Sequence, residues 1–200
     1  MAFNCMIAGV GGQGTVLASK LIAAAAMKKG FDVRTTETIG MAQRGGSVVS
    51  HVRIGEKIFS PLIPHAAANA LIAFEPAEAA RQLPYLRADG FLVACDSAIK
   101  PATDPRSKEP YETSAIIDFI KEHVQKLVVI EGQCTMRRIM RHNAKTLNVV
   151  LLGAAAQCGV FPFDAETLRE VIPELLPQRF WEMNLKSFEL GMQAASCIKF

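Results

Sequence analysis

Six residues near the start of the chain, Gly9-Val10-Gly11-Gly12-Gln13-Gly14, constrain the fold more than any others. Ahead of them, Phe3 to Val10 is an apolar run, short enough for a strand and continuous enough to be buried on both faces. Behind them, Thr15 to Lys29 lacks Pro and Gly, is rich in Ala, Leu and Lys, and stops at Gly30, which predicts a helix. Phe31 to Thr36 reads as a second strand. Strand, helix and strand in such a short stretch make a βαβ unit, so the first two strands are expected to run parallel. The first N–H groups of a helix lack internal partners, and its dipole places partial positive charge there. Without side chains, Gly11 and Gly12 let a diphosphate approach the backbone. Two readings follow. Either the turn receives an anion, with Gln13 donating its amide to the same group, or glycine only permits close strand–helix packing and Gln13 orients the loop.

The same letters satisfy GxGxxG, the dinucleotide fingerprint, which asks for an acid at the end of the second strand. Asp32 lies at that strand's start, whereas Glu37, 23 residues past Gly14, lies at its end. A stand-alone NAD(P)-binding oxidoreductase therefore stays open.

Downstream, Ile39 to Gly46 holds Gly40, Gly45 and Gly46 around Met41, Gln43 and Arg44, and reads as a loop. Ser47 to Ile54 follows as a half-exposed strand, with Val48, Val52 and Ile54 on one face and Ser47, His51 and Arg53 on the other. Gly55-Glu56 predicts a tight turn, with Lys57 to Ser60 returning as a hairpin. Ala70 to Phe74 and Phe91 to Cys95 are buried strands, and Pro76 opens a helix to about Leu83. Lys100 to Pro110, with three prolines and five charges, is a surface loop. Thr113 to Val124 is an amphipathic helix and Leu127 to Glu131 a strand. From Cys134 on, the pattern is helical. Asn148 to Cys158 is nearly all apolar. Asp164 caps a helix from Ala165 to about Ile172, with Glu166 one position early for a capping box. A last helix runs from Gln178 to Ile198, with Trp181, Leu185, Phe188, Met192 and Ala195 along one stripe. The expectation is one domain, 1–200: a three-layer α/β/α fold with a mostly parallel Rossmann-like sheet, a β-hairpin and a helical C-terminal third.

Composition narrows the function. Half of the 200 residues are hydrophobic, which supplies a large core and rules out disorder. Net charge is +3, too weak to imply nucleic acid or an anionic membrane. The most apolar long run, Met6 to Met27, is interrupted by four glycines, Gln13 and Lys20, so no membrane span is expected. No basic region precedes an apolar stretch at the N-terminus, so a cytoplasmic location is expected. The five cysteines, Cys5, Cys95, Cys134, Cys158 and Cys197, form no CxxC or CxH pattern. Neither a zinc site nor an iron–sulfur cluster built by this chain alone fits that spacing, and reduced, buried thiols do.

Beyond GxGxxG, longer stretches carry a resemblance. They are Gly9 to Gly14, Glu37-Thr-Ile-Gly-Met-Ala-Gln-Arg-Gly-Gly-Ser-Val-Val-Ser-His-Val-Arg-Ile54, Phe59-Ser-Pro-Leu-Ile-Pro64, Phe74-Glu-Pro-Ala-Glu78, Asn148-Val-Val-Leu-Leu-Gly153 and Asn184-Leu-Lys-Ser-Phe-Glu-Leu-Gly191. Together they resemble the gamma-type subunit of 2-oxoacid:ferredoxin oxidoreductases over essentially the whole chain. Met41-Ala-Gln-Arg44 is most similar to the equivalent subunit of the two-subunit indolepyruvate enzymes. Asn69 departs from the pattern, where an aspartate is expected. The resemblance implies a reaction spread over several chains. A 2-oxoacid condenses with thiamine diphosphate, CO2 leaves, electrons pass through [4Fe–4S] clusters to ferredoxin, and coenzyme A takes the acyl group. Thiamine diphosphate, Mg2+ and the clusters would sit on partner subunits, with no cofactor or metal held by this chain alone. This chain would complete the site or handle coenzyme A, contributing no catalytic residue of its own. A homodimer is one state open to it when isolated.

The residues assigned to cofactor contact are Gly9, Gly11, Gly12, Gln13, Gly14, Arg44, Gly45 and Gly46. Arg44 suits bidentate contact with phosphate or carboxylate. His51 reads as a surface or interface residue rather than a base. Glu75, at a strand end before Pro76, reads as a helix-start acid in the region where open α/β sheets gather their sites.

Overall fold

The structure is a computed structural model and describes residues 2–39, 46–98, 112–131 and 146–196. Strands β1 (Phe3–Val10), β2 (Asp32–Ile39), β3 (Ser47–Gly55), β4 (Ala68–Ala73), β5 (Leu86–Cys95) and β6 (Lys126–Ile130) form one sheet in the order β2-β3-β1-β4-β5-β6. Pairing is parallel from β1 through β6 and antiparallel on both sides of β3, so β3 alone runs against the rest. Helices α1 (Thr15–Lys28), α2 (Pro76–Gln82), α3 (Thr113–His123), α4 (Leu147–Gln157), α5 (Ala165–Leu175) and α6 (Trp181–Ser196) flank it. The side-chain alternation of β1 builds both cores. Cys5 and Ile7 face a layer of α1, α4, α5 and α6, whereas Met6 and Ala8 face α2 and α3. This is the expected three-layer arrangement.

Three strand expectations are revised by the structure. β1 and β2 do point the same way, but β3 lies between them and pairs with both. The hairpin is the β2–β3 pair. After Gly55 the chain does not return as a strand, because the polar groups of residues 58–63 are taken by β2 and β3 instead. Ile58 N donates to Asp32 Oδ2 at 2.8 Å, and Arg53 Nη1 donates to the carbonyls of Ser60 and Leu62. The same packing buries β3 from Val48 to Val52, so it is interior rather than half-exposed. His51 is accordingly buried, not a surface residue: its Nδ1 accepts from Ile63 N at 3.3 Å and Tyr85 meets its ring edge-on. Asn69 takes the place of the expected aspartate without loss, since its Oδ1 accepts from Asn4 N at 2.9 Å.

The C-terminal third is organised by α4. A helix apolar all round must be enclosed, and Leu147 to Ala155 are buried without a break. Its outer partner is α6. The buried residues of α6 are Asn184, Ser187, Phe188, Gly191 and Ala195, so the stripe is smaller and more polar than the apolar pattern predicted. Trp181 and Leu185 are only partly buried. The backbones touch at the crossing: a Cβ on Gly153 would stand 2.1 Å from the Phe188 carbonyl oxygen, and one on Gly191 2.0 Å from that of Val150. Asp164 caps α5, accepting from Thr167 N at 2.8 Å, and the Thr167 and Lys29 donors hold its carboxyl at about 2.

The loop expected at 100–110, Cys134 and the segment following it, Cys197, and the loop residues Gly40 to Gly45 lie outside the described residues.

Candidate functional site

The glycine-rich turn leaves β1 at the carboxyl edge of the parallel strands, beside the end of β4. Open α/β sheets bind ligands along this edge. Gln13 dictates its shape. Its Oε1 accepts from Val10 N at 2.7 Å, and its Nε2 donates to the Phe74 carbonyl at 3.1 Å, tying the ends of β1 and β4 together. Gly9 has no side chain because Gln13 occupies the space: a Cβ there would stand 2.7 Å from Gln13 Oε1. Gln13 thus orients the loop, with both ends of its amide taken up inside the protein.

Gly14 is the N-cap of α1 at φ 83°, and a Cβ on it would stand 2.6 Å from Asn148 Nδ2. Asn148, buried in the first turn of α4, donates to the Gly14 carbonyl at 3.3 Å. The start of α4 therefore abuts the start of α1. Gly12, at φ 99°, faces open space, with nothing within 4 Å of where a Cβ would lie. Among the described residues, no side chain bonds to the amides of Gly12, Gly14 or Thr15, and the first turn of α1 holds no acid. Among the described residues, the positive end of the dipole thus meets no acid in that turn.

A second loop meets the turn. Gly11 N donates to the Gly46 carbonyl at 2.8 Å. Next to Gly46, the Ser47 hydroxyl donates to Glu78 Oε2 at 2.6 Å. Glu78 is only 2% exposed and also receives the Arg81 guanidinium. Glu75, equally buried, caps α2 by accepting from Glu78 N at 3.0 Å, the helix-start role expected of it. Cys95 closes the edge at the end of β5. Burial pushes its thiol up, with the carboxylates of Asp96 and Glu75 adding to the effect. Cys5, in the middle of β1, is pushed up to about 12 by burial alone. Both behave as core atoms.

Of the assigned residues, the structure brings together Gly9, Gly11, Gly12, Gln13, Gly14 and Gly46; Arg44 and Gly45 lie outside the described residues. Sequence reasoning gave no role to Ser47, Glu78 or Asn148. The only signal for them was their place in the shared stretches, since a buried polar residue has no periodic signature. Glu37 reaches Ser19 Oγ at 3.3 Å on the α1 side of an exposed strand, with β3 between it and β1. Among the described residues, no three His, Cys, Asp or Glu side chains converge as a metal site. Nor, among them, is any helix long and apolar enough to cross a membrane.

The chain is similar to several known proteins. Residues 4–194 match the family model for pyruvate ferredoxin/flavodoxin oxidoreductase. Indolepyruvate oxidoreductase subunit IorB from Pyrococcus horikoshii is 36% identical over 193 residues, 96% of each chain. Its counterpart from Methanothermobacter thermautotrophicus is 36% identical over 197 residues, 98% of this chain and 99% of the relative. In fold, the chain is similar to the gamma subunit of a keto/oxoacid ferredoxin oxidoreductase from Geobacter sulfurreducens. The TM-score is 0.75 at 22% identity, covering 100% of this chain and 99% of that one. It is also similar to 2-oxoglutarate:ferredoxin oxidoreductase from Magnetococcus marinus, solved with 2-oxoglutarate, coenzyme A and succinyl-CoA bound. There the TM-score is 0.72 at 22% identity, and the match covers 99% of this chain but 32% of that one.

Proposed function

The chain belongs to the pyruvate ferredoxin/flavodoxin oxidoreductase family, and on that premise we propose that it is the gamma-type subunit of an indolepyruvate-type 2-oxoacid:ferredoxin oxidoreductase. The observation that carries this reading is the 36% identity to subunit IorB over 96% or more of this chain and of each of the two relatives. Thiamine diphosphate, Mg2+ and [4Fe–4S] clusters belong on the companion subunit, which passes electrons to ferredoxin. In the assembled enzyme the companion's thiamine diphosphate supplies the carbanion chemistry.

This chain's own contribution is the carboxyl-edge turn. The start of α1 at Gly12, which faces open space, with no acid in the helix's first turn, suits a phosphate of coenzyme A. Gln13 and Asn148 fix the backbone there. Arg44 and Gly45 complete the assignment, the guanidinium adding a charged fork to the same anion. If so, Arg44→Ala should cost about tenfold to a hundredfold in apparent affinity for coenzyme A, with lysine restoring only part.

The class of function is tested by affinity capture from the native host. A companion chain rich in cysteine clusters should co-purify, and the pair should reduce ferredoxin with a 2-oxoacid and coenzyme A. Capture of the chain alone, or dye reduction with a 2-oxoacid by this chain alone, would refute the reading.

A further inference from the structure

We propose that Glu78 is a positioning residue for the glycine-rich turn: its buried carboxylate holds Ser47, and through the adjoining Gly46 it holds the amide of Gly11. The inference rests on the function proposed above and deepens it. It starts from a cost. A carboxylate removed from water is expensive, and an apolar residue is usually the cheaper choice at such a place. Helix α2 does not require this one, because Glu75 already supplies its N-cap. The Arg81 guanidinium, itself more than half exposed, pairs with one oxygen of this carboxylate and offsets part of that cost. Its other oxygen takes the short bond from Ser47, which ties α2 to the start of β3.

Its location gives that bond a consequence. Ser47 is the first residue of β3 and stands opposite Val10, the last residue of β1, at the final rung of the ladder. Terminal rungs fray. Just past this rung, the Gly46 carbonyl takes the Gly11 amide. Glu78 thus fastens the end of the ladder at the point where the second loop grips the turn. Gln13 fixes the turn to β4 from the other side. Gly12 lies between these two fixings and Gly14 directly after them, both at positive φ, and no side chain of their own can set their orientation.

The test uses the enzyme reconstituted with its companion subunit and coenzyme A as the varied substrate. Wild type must turn over; if it does not, the proposed function fails and Glu78 is not yet in question. Given turnover, E78A and S47A should each raise KM for coenzyme A about tenfold, with kcat within about twofold. The double variant should be little worse than either single one, because both remove the same bond. E78Q keeps an acceptor for the Ser47 hydroxyl and should restore most of the loss. Hydrogen exchange in the same enzyme should quicken at Gly11 to Thr15 while Cys5 to Ala8 stay protected. The inference is overturned if both single variants keep the wild-type KM, if E78Q is no better than E78A, or if KM and kcat deteriorate together alongside a general loss of protection.

Discussion

Gln13 and His51 show what a single buried polar group does in this fold. In the sequence Gln13 is one letter in a glycine run; in the structure its amide spans two strands and explains why Gly9 is a glycine. Replacing it tests that span. Gln13→Ala leaves the Phe74 carbonyl and the Val10 amide without their partner, so it should destabilise the fold by about 1–3 kcal/mol, read as a fall in the denaturant midpoint. Gln13→Glu should be worse than a neutral exchange, because a carboxylate oxygen would then face the Phe74 carbonyl oxygen. Equal stability of both variants and wild type would remove Gln13 from this role.

His51 makes a pH-dependent contribution. Burial lowers its pKa, and the bond from Ile63 N requires Nδ1 without a proton, so the folded state favours the neutral ring. The unfolded chain binds the proton more readily. Stability from this group is therefore complete above the unfolded value of about 6.5 and is lost as the pH falls below it toward the lower folded value. Melting temperatures measured from pH 7.5 down to 5 should drop in that window. His51→Asn keeps an acceptor for Ile63 and should flatten the drop. An unchanged slope would mean that other groups carry the acid sensitivity.

Among the helices, the α4–α6 crossing makes the sharpest demand on the sequence. Gly153 and Gly191 each lie against a carbonyl oxygen of the other helix. Adding one methyl group at either position pushes the helices apart, and overpacking of this kind costs about 1–3 kcal/mol. For a chain of this size that corresponds to a melting temperature lower by roughly 3–10 °C for either Gly153→Ala or Gly191→Ala. Once the helices have separated, the second substitution meets less resistance, so the double variant should fall short of the summed effects. Strict additivity, or no shift in either single variant, would show that the crossing yields freely.

The helices and central strands were legible in the sequence because their signals are local: apolar period, capping Asp164, Pro76, the stop at Gly30. The placement of β3 was not. Its period is compatible with an exposed strand, and what covers it comes from residues 58–63 and Tyr85, elsewhere in the chain. The turn was legible as glycines at a strand–helix junction. Its fixing groups, Ser47, Glu78 and Asn148, were not, because they act through contacts between residues 31 and 134 positions apart.

Whole-molecule topology decides between the two classes of function that the glycine run left open. A dinucleotide fold needs a parallel second strand directly beside the first, so that the acid at its end reaches the ribose of a cofactor lying on the first turn. Here the antiparallel β3 fills that position and moves β2 to the sheet edge. Glu37 consequently sits one strand further from the turn, where it meets Ser19. Gly46 and Ser47, at the start of β3, are held beside the turn by Gly11 and Glu78. The isolated chain should therefore show no nicotinamide fluorescence change with NADH or NADPH. At 1 mM of either, its melting temperature should not move, because a ligand present well below its Kd contributes almost nothing to stability. Under the function proposed above, coenzyme A needs no ribose acid and no second parallel strand, and should bind the assembled enzyme far more tightly than either nicotinamide. Stabilisation of the isolated chain by NADH, abolished by Glu37→Ala, would reverse this ordering and restore the dinucleotide reading.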